Sequence, residues 1–172
     1  MRGLEANGRR AGARRPRGRG ANGETDEIEH LDFSVGAAND AERARLRLRG
    51  KEDVYRIHRV RSCNGRPFSV ERMILPVRLF PGLTNRAASR GNIVALARGC
   101  GLRLGKARER ALIGRASALA AETFSLTHSA PVFVLDRMVT TVEGCPVEWR
   151  IAECRLAPEH LEIISHASAT FS

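Results

Sequence analysis

Val54-Tyr55-Arg56-Ile57-His58-Arg59-Val60-Arg61 runs through Ser62-Cys63-Asn64-Gly65-Arg66-Pro67 into Phe68-Ser69-Val70-Glu71-Arg72-Met73-Ile74-Leu75. Both octets are rich in β-branched and aromatic residues, the composition of strands packed on a half-buried surface. Asn64-Gly65 lies between them, and Asn-Gly adopts the positive φ angles of a tight hairpin turn more readily than almost any other dipeptide. Pro76 ends the second run. Residues 54–75 are therefore predicted to form a β-hairpin.

A second stretch repeats the pattern. VFVLDRMVTTVEGCPVE, residues 132–148, shares three features with VYRIHRVRSCNGRPFSVE, residues 54–71. Arg stands at the sixth position of each strand (Arg59, Arg137), a Gly-x-Pro follows the turn (Gly65 and Pro67, Gly144 and Pro146), and a Val-Glu follows that (Glu71, Glu148). Val54 and Val132 are 78 positions apart, which suggests an internal pseudo-repeat.

Working outward, a short strand is expected at 33–35 and a helix over 40–48 that Asn39 or Asp40 caps. Pro76 to Asn85 reads as a loop, and 92–98 as a short helix with Asn92 at its start and Gly99 or Gly101 at its end. The periodicity of 107–115 is ambiguous and accommodates a strand, while the Ala- and Leu-rich 116–124 reads as a helix. Strands 132–142 and 147–156 flank Glu143-Gly144. The fold class expected is α+β, a mostly antiparallel sheet made from two related hairpins with helices packed on one face.

A chain of 172 residues suits one domain with tails. Its apolar runs, such as 130–135, fall far short of the roughly 20 residues that cross a bilayer, and no apolar segment follows the N-terminal arginines. The expectation is a soluble, cytoplasmic protein with no membrane partner. Cys63, Cys100, Cys145 and Cys154 show no CxxC or zinc-ribbon spacing, and no two histidines frame a helical metal site, so neither a metal nor a cofactor is expected. The cysteines read most simply as small reduced apolar residues.

The net charge of +10 looks like a nucleic-acid signal, but residues 1–24 hold seven arginines against Glu5 and Glu24 and so carry half of the excess. That stretch is rich in Gly, Arg and Pro without apolar periodicity, and it is expected to be disordered. The domain boundaries expected are a tail over 1–28, a folded domain over 29–160 and a C-terminal tail over 161–172.

Four ordered blocks carry a family resemblance: VYRIHRVRSCNGRPFSVERMILP, LFPGL, ALARGCGL and SAPVFVLDRMVTTVEGCPVEWR. In this order and spacing, from about Phe33 to Leu156, the chain resembles the UTRA domain, the sensor of GntR-type transcription regulators of the HutC subfamily. The resemblance implies a chorismate lyase-like fold, a small anionic metabolite as effector, a homodimer, and no catalytic residues. A chorismate lyase-like enzyme on the same fold is the alternative. The winged helix-turn-helix of such regulators needs roughly 70 residues, and only about 30 precede the matching region. DNA contact is therefore expected only through a missing N-terminal domain, or weakly and with steep salt dependence through the arginine-rich tail.

On an alternating strand Arg59 and Arg61 share a face, so their guanidinium groups can converge on one anion. Equally, they can lie on a solvated face and merely pair with Glu71. The resemblance favours the first reading: it places Arg59 and Arg61 on the acidic group of an effector, and Glu71 and Glu148 on its polar groups. Two positions depart from the sugar-phosphate sensors of the family, Gly91 where a phosphate-binding Ser would align and Cys154 where a Tyr would. Asn92, at a helix start, can stand in for that Ser by offering its amide, although capping explains it as well. Trp149 faces away from Glu148 and reads as a core or interface aromatic.

Overall fold

In the computed structural model, which describes residues 18–19, 25–90 and 92–156, the Asn64-Gly65 turn forms with φ angles of 50° and 74°. It joins two strands of one antiparallel sheet. In chain order the strands are β1 (Gly18–Arg19), β2 (Thr25–Ala37), β3 (Asp53–Cys63), β4 (Arg66–Pro76), β5 (Leu104–Arg115), β6 (Pro131–Thr141) and β7 (Pro146–Cys154). Their spatial order is β1-β2-β3-β4-β7-β6-β5. Helices α1 (Asp40–Leu46), α2 (Asn85–Arg90), α3 (Ile93–Gly99) and α4 (Ala118–Phe124) fill the connections, with a 3-10 turn at Val77–Leu79.

This strand order makes the internal repeat structural. β2-α1-β3-β4 forms one half, β5-α4-β6-β7 the other, and the halves meet where β4 pairs with β7. The offset of 78 positions extends well beyond the hairpins. It relates α1 to α4, their N-caps Asn39 and Ser117, and their left-handed C-caps Arg47 and Ser125, with φ of 52° and 53°. It also relates the irregularity between Arg61 and Ser62 in β3 to that between Val139 and Thr140 in β6.

Each cap answers a local need, because the first turn of a helix leaves backbone N–H groups without intrahelical acceptors. Asn39 Oδ1 accepts from the Glu42 N–H at 2.9 Å while Glu42 Oε2 accepts from the Asn39 N–H, a reciprocal capping box. Ser117 Oγ accepts from the Ala120 N–H. Asn39→Ala and Ser117→Ala are each expected to cost about 1 kcal/mol, read as a fall in the urea midpoint without a change in slope. No shift in either variant would show these short helices to be held by packing alone.

The helices were expected over one face, and they divide between two. Val54 and Ile74 pack with Leu46 and Leu48 at and just beyond the end of α1. Val60 and Val70, of the same strand parity, pack with Ala120, Ala121 and Phe124 of α4. Tyr55, Ile57, Met73 and Leu75 have the opposite parity, and they pack with Ala88 of α2 and with Ile93, Leu96 and Ala97 of α3. Alternate residues of a strand point to opposite faces, so α1 and α4 cover one side and α2 and α3 the other. The cause lies in β4, where apolar residues occupy both parities from Val70 to Leu75. A central strand of that kind needs cover on both sides.

β2 is longer than the predicted strand at 33–35 and begins at Thr25, inside the stretch assigned to a tail over 1–28. Residues 161–172, and 1–24 apart from β1, lie outside the described residues.

Candidate functional site

The sheet face covered by α2 and α3 changes character along its strands. After Tyr55 and Ile57 the next two positions of that parity on β3 are Arg59 and Arg61, and after Leu75 and Met73 the next on β4 are Glu71 and Ser69. Register carries the pattern across the sheet: Met73 stands opposite Arg150, Arg150 opposite Arg137, and Arg137 opposite Glu109. Glu148 lies two residues from Arg150 on the same face. Half of this face is thus an apolar core, and the other half is a patch of arginines and glutamates.

The patch is knit through its carboxylates. Arg59 Nε donates to Glu71 Oε2 at 2.7 Å, Arg150 Nη1 to Glu71 Oε1 at 3.3 Å, and Arg61 Nη1 stands 3.8 Å from Glu71 Oε1. Arg137 Nη2 donates to Glu148 Oε2 at 2.8 Å, and Arg150 Nη2 to Glu109 Oε2 at 3.3 Å. Arg59–Glu71 and Arg137–Glu148 are counterparts in the repeat. The first pair is directly opposed across its hairpin and the second is diagonal, since Arg137 faces Arg150.

Burial sets the energetics. Burial raises the pKa of Glu71, but Arg59, Arg150 and Arg61 outweigh it and hold the carboxyl well below the ordinary value. For Arg150, burial disfavours the cation while Glu71, Glu148 and Glu109 more than restore it. Both groups are therefore charged throughout the neutral range. Among the described residues no hydrogen bond reaches two opposite-signed atoms at the centre of the patch, Glu148 Oε1 and Arg150 Nε, although both are buried. A buried acceptor and a buried donor without partners are where a bound molecule or water belongs.

The sequence-predicted residues fare differently. Arg59, Arg61 and Glu71 meet in one ion-paired group, and Glu148 joins it through Arg150, whose charge it supports. Asn92 stands apart. It is exposed at the N-cap of α3, where its Oδ1 accepts from the Ala95 N–H at 2.9 Å, the capping role foreseen as the alternative. Gly91 lies outside the described residues.

Three residues of the patch escaped sequence reasoning. Arg137 was visible as the repeat counterpart of Arg59, and Arg150 follows Glu148 by two positions on the same pleat, so both carried a signal. Glu109 carried none, because β5 has no clear periodicity.

Trp149 lies on the opposite face, as expected. It packs with Leu46, Val54 and Ile74, donates from Nε1 to Asp136 Oδ1 at 2.9 Å, and lies under Arg45 and Arg72. Cys63 and Cys154 are buried free thiols, whereas Cys100 is exposed. Burial pushes the Cys154 thiol up to about 11, which leaves it unreactive at neutral pH. The described residues contain no group of three or more His, Cys, Asp and Glu side chains arranged for a metal ion. Nor does any helix among them have the length and apolarity to cross a membrane.

A family model described as the UTRA domain matches residues 21–157. Among solved structures, the ligand-binding domain assigned to a GntR-family transcriptional regulator from Bordetella bronchiseptica is 26% identical, with a TM-score of 0.70, over 76% of this chain and 84% of that one. PhnF from Mycobacterium smegmatis is 20% identical with a TM-score of 0.72, over 79% of this chain and 60% of PhnF. YydK from Bacillus subtilis is 19% identical with a TM-score of 0.70, over 76% of this chain and 59% of YydK. The chain thus spans about three fifths of these last two proteins. No curated protein sequence matches it.

Proposed function

The chain belongs to the UTRA domain family, and we propose that it is the effector-binding domain of a GntR/HutC-type transcription regulator and takes a small anionic metabolite. The observation that carries this reading is the patch itself. Arg59, Arg61, Arg137 and Arg150 gather against Glu71, Glu148 and Glu109, which leaves one positive charge in excess. An anion is the natural complement of that charge, and guanidinium forks match carboxylate or phosphate geometry. Glu148 would accept from hydroxyl or N–H donors on the same ligand.

Binding suits the patch better than lyase-type chemistry. A carboxyl held as low as that of Glu71 is a poor proton carrier near neutral pH. The effector's occupancy would then bias a winged helix-turn-helix lying outside residues 25–156. Coupling of this kind is worth typically about 1–3 kcal/mol. Two copies of the domain, paired through the sheet, would form the cytoplasmic regulator. DNA contact by this chain alone would fall to its arginine-rich N-terminal stretch and weaken steeply with salt.

A thermal-shift screen of small anionic metabolites tests the reading. A true effector at 100 times its Kd is expected to stabilise the fold by about 2.7 kcal/mol. It should lose that effect when Arg61 is changed to Ala. A screen in which only cationic or neutral compounds stabilise the protein would reject an anionic effector.

A further inference from the structure

The sheet face that α1 and α4 share is covered toward its two ends and open between them. On β4, Ile74 packs at the end of α1 and Val70 packs under α4, which sets the two contacts about 13 Å apart along the strand. Helices in contact lie about 8–10 Å apart, so a groove is left between them. Its floor is one row of directly opposed residues, Asp32, His58, Arg72, Ile151 and Asp136, across β2, β3, β4, β7 and β6. Arg72 stands at the middle of that row, on a central strand, and it is exposed.

A charge in that place has little to answer it. The guanidinium lies 5.9 Å from the centre of the Trp149 ring and enters no ion pair among the described residues. Of its two opposed neighbours, Ile151 is apolar, and burial together with Arg72 itself holds the His58 imidazole below its ordinary pKa while Asp32 pulls the other way. Asp136 is already taken by Arg45 and by Nε1 of Trp149. The complement of such a groove is a segment that carries carboxylates among apolar side chains.

The chain holds such a segment, and β7 delivers it to the groove. Residues 157–172 contain Glu159 and Glu162 but no Lys or Arg, in a chain whose net charge is +10, and Leu161, Ile163 and Ile164 stand beside the two glutamates. β7 ends at Cys154 beside α4, where Ser117 Oγ of the N-cap donates to Glu153 Oε2 at 2.6 Å, and Leu156 is left 43% exposed. From Cys154 back to Ile151 is about 10 Å, which about four extended residues span.

We infer that residues 158–164 fold back and dock in the groove between α1 and α4, with their glutamates on Arg72 and their apolar side chains on Ile151. Arg72 and Ile151 directly follow Glu71 and Arg150 in the chain, so the docked segment braces from behind the two strands that carry the arginine patch.

Carbodiimide coupling on the full chain is the test, with Arg72→Lys to supply an amine at the groove floor. A zero-length link is expected from position 72 to Glu159 or Glu162 of the same chain, mapped by mass spectrometry, and it should vanish when both glutamates are changed to Gln. In parallel, Arg72→Glu, folded by circular dichroism, is expected to speed chymotryptic cleavage within 157–172 roughly threefold, the scale of an exposed ion pair, because cleavage tracks the undocked population. Combining Arg72→Glu with Glu159→Lys and Glu162→Lys should return the rate to that of the wild type, which a merely loosened fold would not do. No link from position 72 to either glutamate, or a cleavage rate indifferent to Arg72→Glu, would overturn the docking. Links that join position 72 of one chain only to the glutamates of another would overturn it as well, and would make the groove a contact between chains.

Discussion

Glu71→Ala is expected to lower the stability of the folded chain by about 3–5 kcal/mol, the cost of removing one member of a buried ion-paired group. The carboxylate is buried and holds Arg59 at 2.7 Å and Arg150 at 3.3 Å, with Arg61 within 3.8 Å. Without it, three guanidinium groups face one another with little water to screen them. A domain of this size has only about 5–15 kcal/mol in hand, so the loss is a large share of the total. Glu71→Gln keeps the shape and an acceptor and should lose less.

The pH dependence has a definite sign. The folded-state pKa of Glu71 is depressed below its ordinary value of 4.5, so its contribution is complete above that pH and drains away as acid takes the group toward its folded value. Urea melts should therefore show the gap between wild type and Glu71→Ala constant from neutral pH down to about pH 5 and narrowing below it. An inorganic anion such as sulfate should stabilise Glu71→Ala more than the wild type by occupying the vacated position. A variant within 1 kcal/mol of wild type at neutral pH would mean that the arginines relax into solvent and that the group is not coupled as described.

How much of this was legible in the sequence depended on how local the signal was. The first hairpin was legible because Asn64-Gly65 fixes its turn, while the one-residue register shift between Arg61 and Ser62 carried no local signal. Asn39 and Asn92 announced their helices because capping is a bond between near neighbours in the chain. The repeat was read from the hairpins alone, although Asn39 and Ser117, 78 positions apart, would have extended it to the helices. The two-sided covering of the sheet could not be read from the hairpin alternation, because only the pairing of β4 with β7 makes both strands central. For the same reason Arg59 and Arg61 were recognised as neighbours while Arg150 was not assigned to Glu71, 79 residues away. That pairing is a product of strand order.

Arg61→Ala should reduce effector affinity by at least about 100-fold, in line with the 2–5 kcal/mol lost when one partner of a buried charge pair is removed, while costing much less stability than Glu71→Ala. The two arginines of β3 differ in what they already hold. Arg59 is bound to Glu71 at 2.7 Å with its side chain 7% exposed, so its charge is largely spent inside the protein. Arg61 stands 3.8 Å from the same carboxylate with 16% exposure and lies over the Phe68 ring, whose face orients the guanidinium without neutralising it. Its guanidinium is the more exposed of the two and so the better placed to meet a ligand. Calorimetry with an effector from the thermal-shift screen should show the affinity loss in Arg61→Ala, a partial return in Arg61→Lys, and an unchanged urea midpoint within about 1 kcal/mol. If Arg59→Ala abolishes binding while Arg61→Ala leaves it intact, the anion sits deeper in the patch, against Arg59 and Arg150, and Arg61 serves only to neutralise Glu71.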